Sequence, residues 1–121
     1  METLIRSYRD LVVWQKAVEL VTEIYRLTHT FPKEEMFGLM SQMRRAAVSI
    51  PSNIAEGHGR LSRKEYIYFL GNARGSLAEL ETQIIIAKNL GFLEEAVMNR
   101  VLDQAGELGR VLNGLLASLR Q

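Results

Sequence analysis

Residues 42–60, QMRRAAVSIPSNIAEGHGR, decide the fold. Met43, Ala47, Ile50 and Ile54 recur at spacings of three and four, which is one apolar stripe of an α-helix. Met36 and Met40 extend the stripe backwards. Yet Pro51 stands inside it. A proline in a helix interior removes a backbone donor and crowds the preceding turn, costing about 3 kcal/mol. The stretch predicts a helix over 34–57, bent near Pro51 and closed by Gly57 and Gly59, since glycine readily takes a left-handed cap. Gln42, Ser49, Asn53 and Glu56 edge the stripe on one side; Phe37, Val48 and Ala55 edge it on the other.

Three further segments keep the same period. A helix over 11–28 follows Asp10, whose carboxylate suits an N-cap. It carries two stripes: Val13, Ala17, Leu20, Ile24 and Leu27, and beside them Trp14, Val18, Val21 and Tyr25. One bundle core needs only one of them, so the second predicts a contact with another copy. Phe31-Pro32 ends this unit, because proline bars its predecessor from helix. Ser62 and Glu65 form an S-x-x-E capping box. It opens a helix over 63–90 with Tyr66, Leu70, Ala73, Leu77, Leu80, Ile84 and Ala87 on one face and Gly91 as C-cap. Gly71 and Gly75 each cost this helix about 1 kcal/mol relative to alanine. With Ala78 they form a smooth strip suited to close approach of a neighbouring helix. The last helix spans 94–119, with Glu94 and Glu95 at its positive end. Met98, Val101, Ala105, Leu108, Leu112, Leu115 and Leu119 hold a heptad pattern. Four amphipathic helices on short connections predict an all-α, antiparallel, up-down-up-down four-helix bundle, one domain over residues 1–121.

Composition narrows the function. The chain has 121 residues, 47% hydrophobic and 24% charged, which is ordinary for a globular protein. No cysteine is present, so disulfides and thiolate metal sites are excluded. The first residues lack the apolar core and small-residue cleavage site of a signal peptide, and no apolar run reaches the roughly 20 residues that span a bilayer. A cytoplasmic protein without membrane contact is expected. The net charge of +1 argues against strong capture of nucleic acid by one subunit. One segment stands apart: Arg44, Arg45, Arg60, Arg63 and Lys64 face a single anion, Glu56. It reads either as a solvated helix face or as an RNA contact.

Residues that could carry chemistry are few. No glutamate has a histidine three positions on, as a di-iron bundle requires. His29 and His58 both lie near helix ends, and neither they nor any other residues suggest a metal site or a cofactor. Ser49, Ser52 and Ser76 fit small-residue helix contacts rather than a nucleophile turn. The most suggestive set is Gln42, Ser49, Asn53, Glu56, Arg74 and Glu79. It reads as a polar network fixing the register of the second and third helices, with a ligand or catalytic cleft as the alternative.

Three blocks carry a family resemblance: LVVWQKAVELVTEIY (11–25), FPKEEMFGLMSQMRRAAVSIPSNIAEG (31–57) and LSRKEYIYFLGNARGSLAELETQIIIAKNLGFL (61–93). They resemble the four-helix-bundle family encoded in 23S rRNA intervening sequences, often labelled a small-subunit ribosomal protein. They are also similar to the accessory variability determinant proteins of diversity-generating retroelements. The resemblance implies a four-helix bundle that assembles as a ring-like homopentamer, with no established catalytic role for the matched residues. In the retroelement relatives it implies basic assemblies that bind nucleic acid and a reverse transcriptase, from which this near-neutral chain departs. The leading expectation is a non-enzymatic, self-associating helical adaptor that presents Arg44, Arg45, Arg60, Arg63 and Lys64 to RNA or an RNA-bound protein. Trp14, Val18, Val21, Tyr25, Gly71 and Gly75 would line the subunit contacts. A small-molecule binder or enzyme using the polar edge of the second helix, and a purely protein–protein scaffold, are the alternatives.

Overall fold

The computed structural model describes residues 4–121. Four helices account for most of them: α1 (Val12–Thr28), α2 (Leu39–His58), α3 (Arg63–Asn89) and α4 (Glu95–Leu119). Among the described residues there is no strand. Each helix packs on the next and α4 closes back on α1, while the diagonal pairs do not meet. This is the antiparallel four-helix bundle that short connections dictate. The seam between α2 and α3 is the most extensive.

The core is a continuous apolar column. Val13, Ala17, Leu20, Ile24 and Leu27 of α1 meet Met43, Ala47, Ile50 and Ile54 of α2. Leu70, Ala73, Leu77, Leu80, Ile84 and Ala87 of α3 complete it with Val101, Ala105, Leu108, Leu112 and Leu116 of α4. Removing the larger of these side chains from water is worth about 1.5–3 kcal/mol each. Phe31 is buried in the first connection and stacks against Phe92 of the third, 5.4 Å between ring centres, which seals one end.

Several local features differ from the sequence expectations. Helix α2 starts at Leu39 rather than near Glu34; Lys33–Glu35 forms a separate 3-10 turn. The Glu35 carboxylate accepts from the Leu39 amide at 3.0 Å, so the glutamate becomes a cap instead of a first turn. Met36, outside the helix, is exposed. Asp10 caps not α1 but a preceding 3-10 turn, Tyr8–Asp10, where it accepts from the amides of Arg6 and Ser7 at 2.8 and 3.2 Å. In α4 the buried residue of the final turns is Leu116, and Leu115 is only half-buried. A straight helix turns every 3.6 residues, so a strict heptad drifts off the core face.

Pro51 sits in a helix assigned without interruption from Leu39 to His58, with its ring buried. The glycines after it do not act as left-handed caps. Gly59 has φ −79°, and Gly91 is the only glycine with positive φ among the described residues. Gly57 is instead a point of close packing, where an added methyl would lie 2.8 Å from Phe69 Cβ. The loop after α3 does use Gly91, at φ +82°. The Ser62 side chain accepts from the Glu65 amide, as the capping box requires.

Candidate functional site

The α2–α3 seam is lined by small residues, and this opens a polar groove along its outer side. Helix α2 contributes Gln42, Arg45, Ala46, Ser49 and Asn53; α3 contributes Gly71, Asn72, Gly75, Ser76, Glu79 and Gln83. Two recesses, of about 360 and 460 Å³, share Ser49, Ser76 and Glu79 and so adjoin. The Ser49 and Ser76 hydroxyls are hydrogen-bonded at 2.9 Å. The Asn53 amide donates to the Ser49 carbonyl at 2.8 Å and to its hydroxyl oxygen at 2.9 Å. The Ser49 hydroxyl oxygen thus links Asn53 to Ser76 across the seam. Gln83 is 7% exposed, and its side-chain oxygen has no hydrogen-bond partner among the described residues.

The expected polar set is thus brought together only in part. Gln42, Ser49, Asn53 and Glu79 share the groove. Glu56 is turned away into an ion pair with Arg60 at 2.9 Å. Arg74 reaches across to Asn113 of α4 at 3.4 Å rather than to α2. Ser76 and Gln83 are the added members. Gln83 had a signal: it lies three residues after Leu80 and four before Ala87, a core spacing occupied by an amide.

The five cations do not form one patch. About 20 Å of helix separates Arg44 and Arg45 from Arg60, Arg63 and Lys64. Arg44 is engaged at the end of α1. It donates to Thr28 Oγ1 at 2.9 Å and the Tyr25 carbonyl at 3.3 Å, and lies over the Tyr25 ring at 4.5 Å. Arg60 pairs with Glu56, approaches Glu65 at 3.7 Å and covers the Phe69 ring at 4.7 Å. Arg63 donates to the Gln121 carbonyl at 3.3 Å. Arg45 and Lys64 are exposed and make no ion pair among the described residues.

The expected contact surface is mixed. Trp14 is half-buried, packed edge-to-face on Tyr8 at 5.3 Å, so the chain's own N-terminal turn covers part of it. Val18 and Val21 are half-buried, and Tyr25 is 43% exposed. A shallow depression of Val21, Thr22, Tyr25, Arg26, His29 and Arg44 lies there. Gly71 and Gly75 approach no helix of this chain: a methyl at either would meet nothing within 4 Å. At about 100° per residue, Tyr68, Gly71, Gly75, Ala78, Thr82, Ile85 and Ile86 share the outward face of α3. That face carries no charge from 68 to 86 along its centre line, and Tyr68, Ile85 and Ile86 are 64%, 44% and 42% exposed.

Fold and groove together define a four-helix bundle with a polar recess between two helices and an uncharged outer face on one of them. The chain belongs to the family described as 23S rRNA-intervening sequence protein, which it matches over residues 9–114. Among solved structures it is similar to a protein of unknown function from the S23 ribosomal protein family of Bacteroides thetaiotaomicron VPI-5482. The TM-score is 0.81 at 20% identity, covering 88% of this chain and 96% of that one. No curated protein matches. Among the described residues no helix is long and apolar enough to cross a membrane.

Proposed function

We propose that the protein is a non-enzymatic, cytoplasmic, self-associating helical adaptor that assembles as a homopentamer and contacts RNA or an RNA-bound protein. The observation that carries this reading is the outer face of α3. Two helix-weakening glycines stand there with open space above them, flanked by exposed Tyr68, Ile85 and Ile86. An apolar face of this kind on a subunit with a well-filled core suits a contact between copies. Tyr25 and the depression around it on α1 offer a second such surface. The free side chains for an RNA contact are Arg45 and Lys64, with Arg63 beside Lys64. One subunit offers few cations, but a ring repeats them, and linked weak contacts gain strongly in avidity.

Binding of a 23S rRNA fragment by the wild type and by an Arg45→Ala/Arg63→Ala/Lys64→Ala variant, across a salt series, tests the RNA arm. The proposal expects weaker binding and a shallower salt dependence in the variant. Equal affinity, insensitive to salt, overturns it.

A further inference from the structure

The groove between α2 and α3 holds features that a simple helix-register network does not need. Its Gln83 carbonyl is nine-tenths buried and accepts no hydrogen bond. A buried acceptor left alone costs stability, about 1–3 kcal/mol in general, and native proteins rarely retain one without a use. Glu79 and Arg45 line the same recess from opposite helices, and neither forms an ion pair among the described residues, with each other or elsewhere. The Ser49–Ser76 hydroxyl pair lies between the helices.

These groups select a ligand by elimination and by match. One carboxylate with no companion histidine or acid is not a cation site, and no group of three such residues gathers among the described residues. A polyanion would meet Glu79. A nucleobase would find no aromatic platform among the lining side chains. A primary ammonium matches well: its three donors suit a carboxylate, an amide carbonyl and a hydroxyl oxygen. A carboxylate on the same molecule would suit the Arg45 guanidinium. The recess, about 360 Å³, falls within the range of small-ligand sites.

We infer that the α2–α3 groove binds a small zwitterion of the free amino-acid class, its ammonium on Glu79 and Gln83 and its carboxylate on Arg45. The recess lies within one subunit. Arg45 also serves the proposed RNA contact, so Glu79→Gln and Gln83→Leu, which leave that contact untouched, separate this inference from that reading.

Thermal-shift and calorimetric titration of the full-length protein with the common amino acids at millimolar concentration tests it. Acetate and methylamine serve as single-charge controls, and the oligomeric state is recorded in parallel. At least one amino acid is expected to raise Tm while both controls fail. Arg45→Ala and Glu79→Gln should each weaken binding about tenfold or more. Gln83→Leu should abolish it while leaving the ligand-free Tm equal or higher, because the lone acceptor is gone. A protein that responds to no amino acid overturns the inference. So does a response undiminished in Glu79→Gln and Gln83→Leu, or a ligand-free Tm that falls in Gln83→Leu. So too does a crystal grown with the amino acid that shows only an ordered water on Gln83 Oε1.

Discussion

At Gly57 a methyl group would lie 2.8 Å from Phe69 Cβ and 3.3 Å from the Tyr66 carbonyl, both fixed parts of α3. At Gly71 and Gly75 it would meet nothing. The same substitution therefore has opposite signs. Gly57→Ala should destabilise the subunit by about 1–2 kcal/mol, overpacking outweighing the gain in helix propensity. Gly71→Ala and Gly75→Ala should each stabilise an isolated subunit by up to about 1 kcal/mol, yet weaken assembly if a second helix approaches there. Urea melts of the three variants, with the assembly state followed beside them, check both signs. The sequence read Gly57 as a cap and Gly71 and Gly75 as the place of close approach, yet within the subunit the tight contact falls at Gly57. Close packing at Gly57 depends on where α3 lands, which no local pattern encodes. Gln83 is the same lesson in polar form: its core spacing was legible, but its lack of a partner depends on what lies across the seam.

The helices were legible because each stripe repeats over many turns, and the buried faces of α1 and α3 follow those stripes closely. Their ends were less so. Glu34 and Glu35 look like a good first turn, but Gly38 precedes Leu39 with φ −112° and ψ −120°, outside the helical region. Glu35 then serves the helix from outside it. Asp10 was rightly seen as a cap, but of the wrong turn, because its own backbone is taken by the 3-10 turn. Charge at the element scale gives a pH prediction. Backbone amides of Arg6 and Ser7 hold the Asp10 carboxyl below its ordinary range. The hydrogen bond from Lys16, 2.6 Å long, followed by that lysine's charge, does the same for Glu107 and ties α1 to α4. A carboxyl depressed in the folded state contributes stability above its unfolded pKa and loses it as pH falls through the folded value. Glu107 is exposed and Asp10 only half-buried, so the effect is small. Hydrogen exchange at the N-terminal turn and along the α1–α4 seam should quicken as pH falls through and below about 4, after correction for the intrinsic rate. Glu107→Gln should flatten that response at the seam. A seam equally protected at all acidic pH values contradicts the assignment.

For the whole molecule, one core holds four helices, and Leu80→Ala or Ile50→Ala in its middle should cost about 2–5 kcal/mol. What that core does not absorb is the outward side of α3. Apolar residues lie on both of its faces: Leu70, Leu77, Leu80 and Ile84 inward, Tyr68, Ile85 and Ile86 outward. The sequence marked Gly71 and Gly75 as a smooth strip, and the structure leaves them open, whereas Trp14 of the second α1 stripe is partly covered by Tyr8. The most direct test is the mass of the native assembly in dilute solution, by native mass spectrometry or mass photometry, for the wild type and for Ile85→Glu. A discrete ring of five wild-type copies that falls apart in the variant is the expected result. A well-folded single chain at every concentration would contradict it.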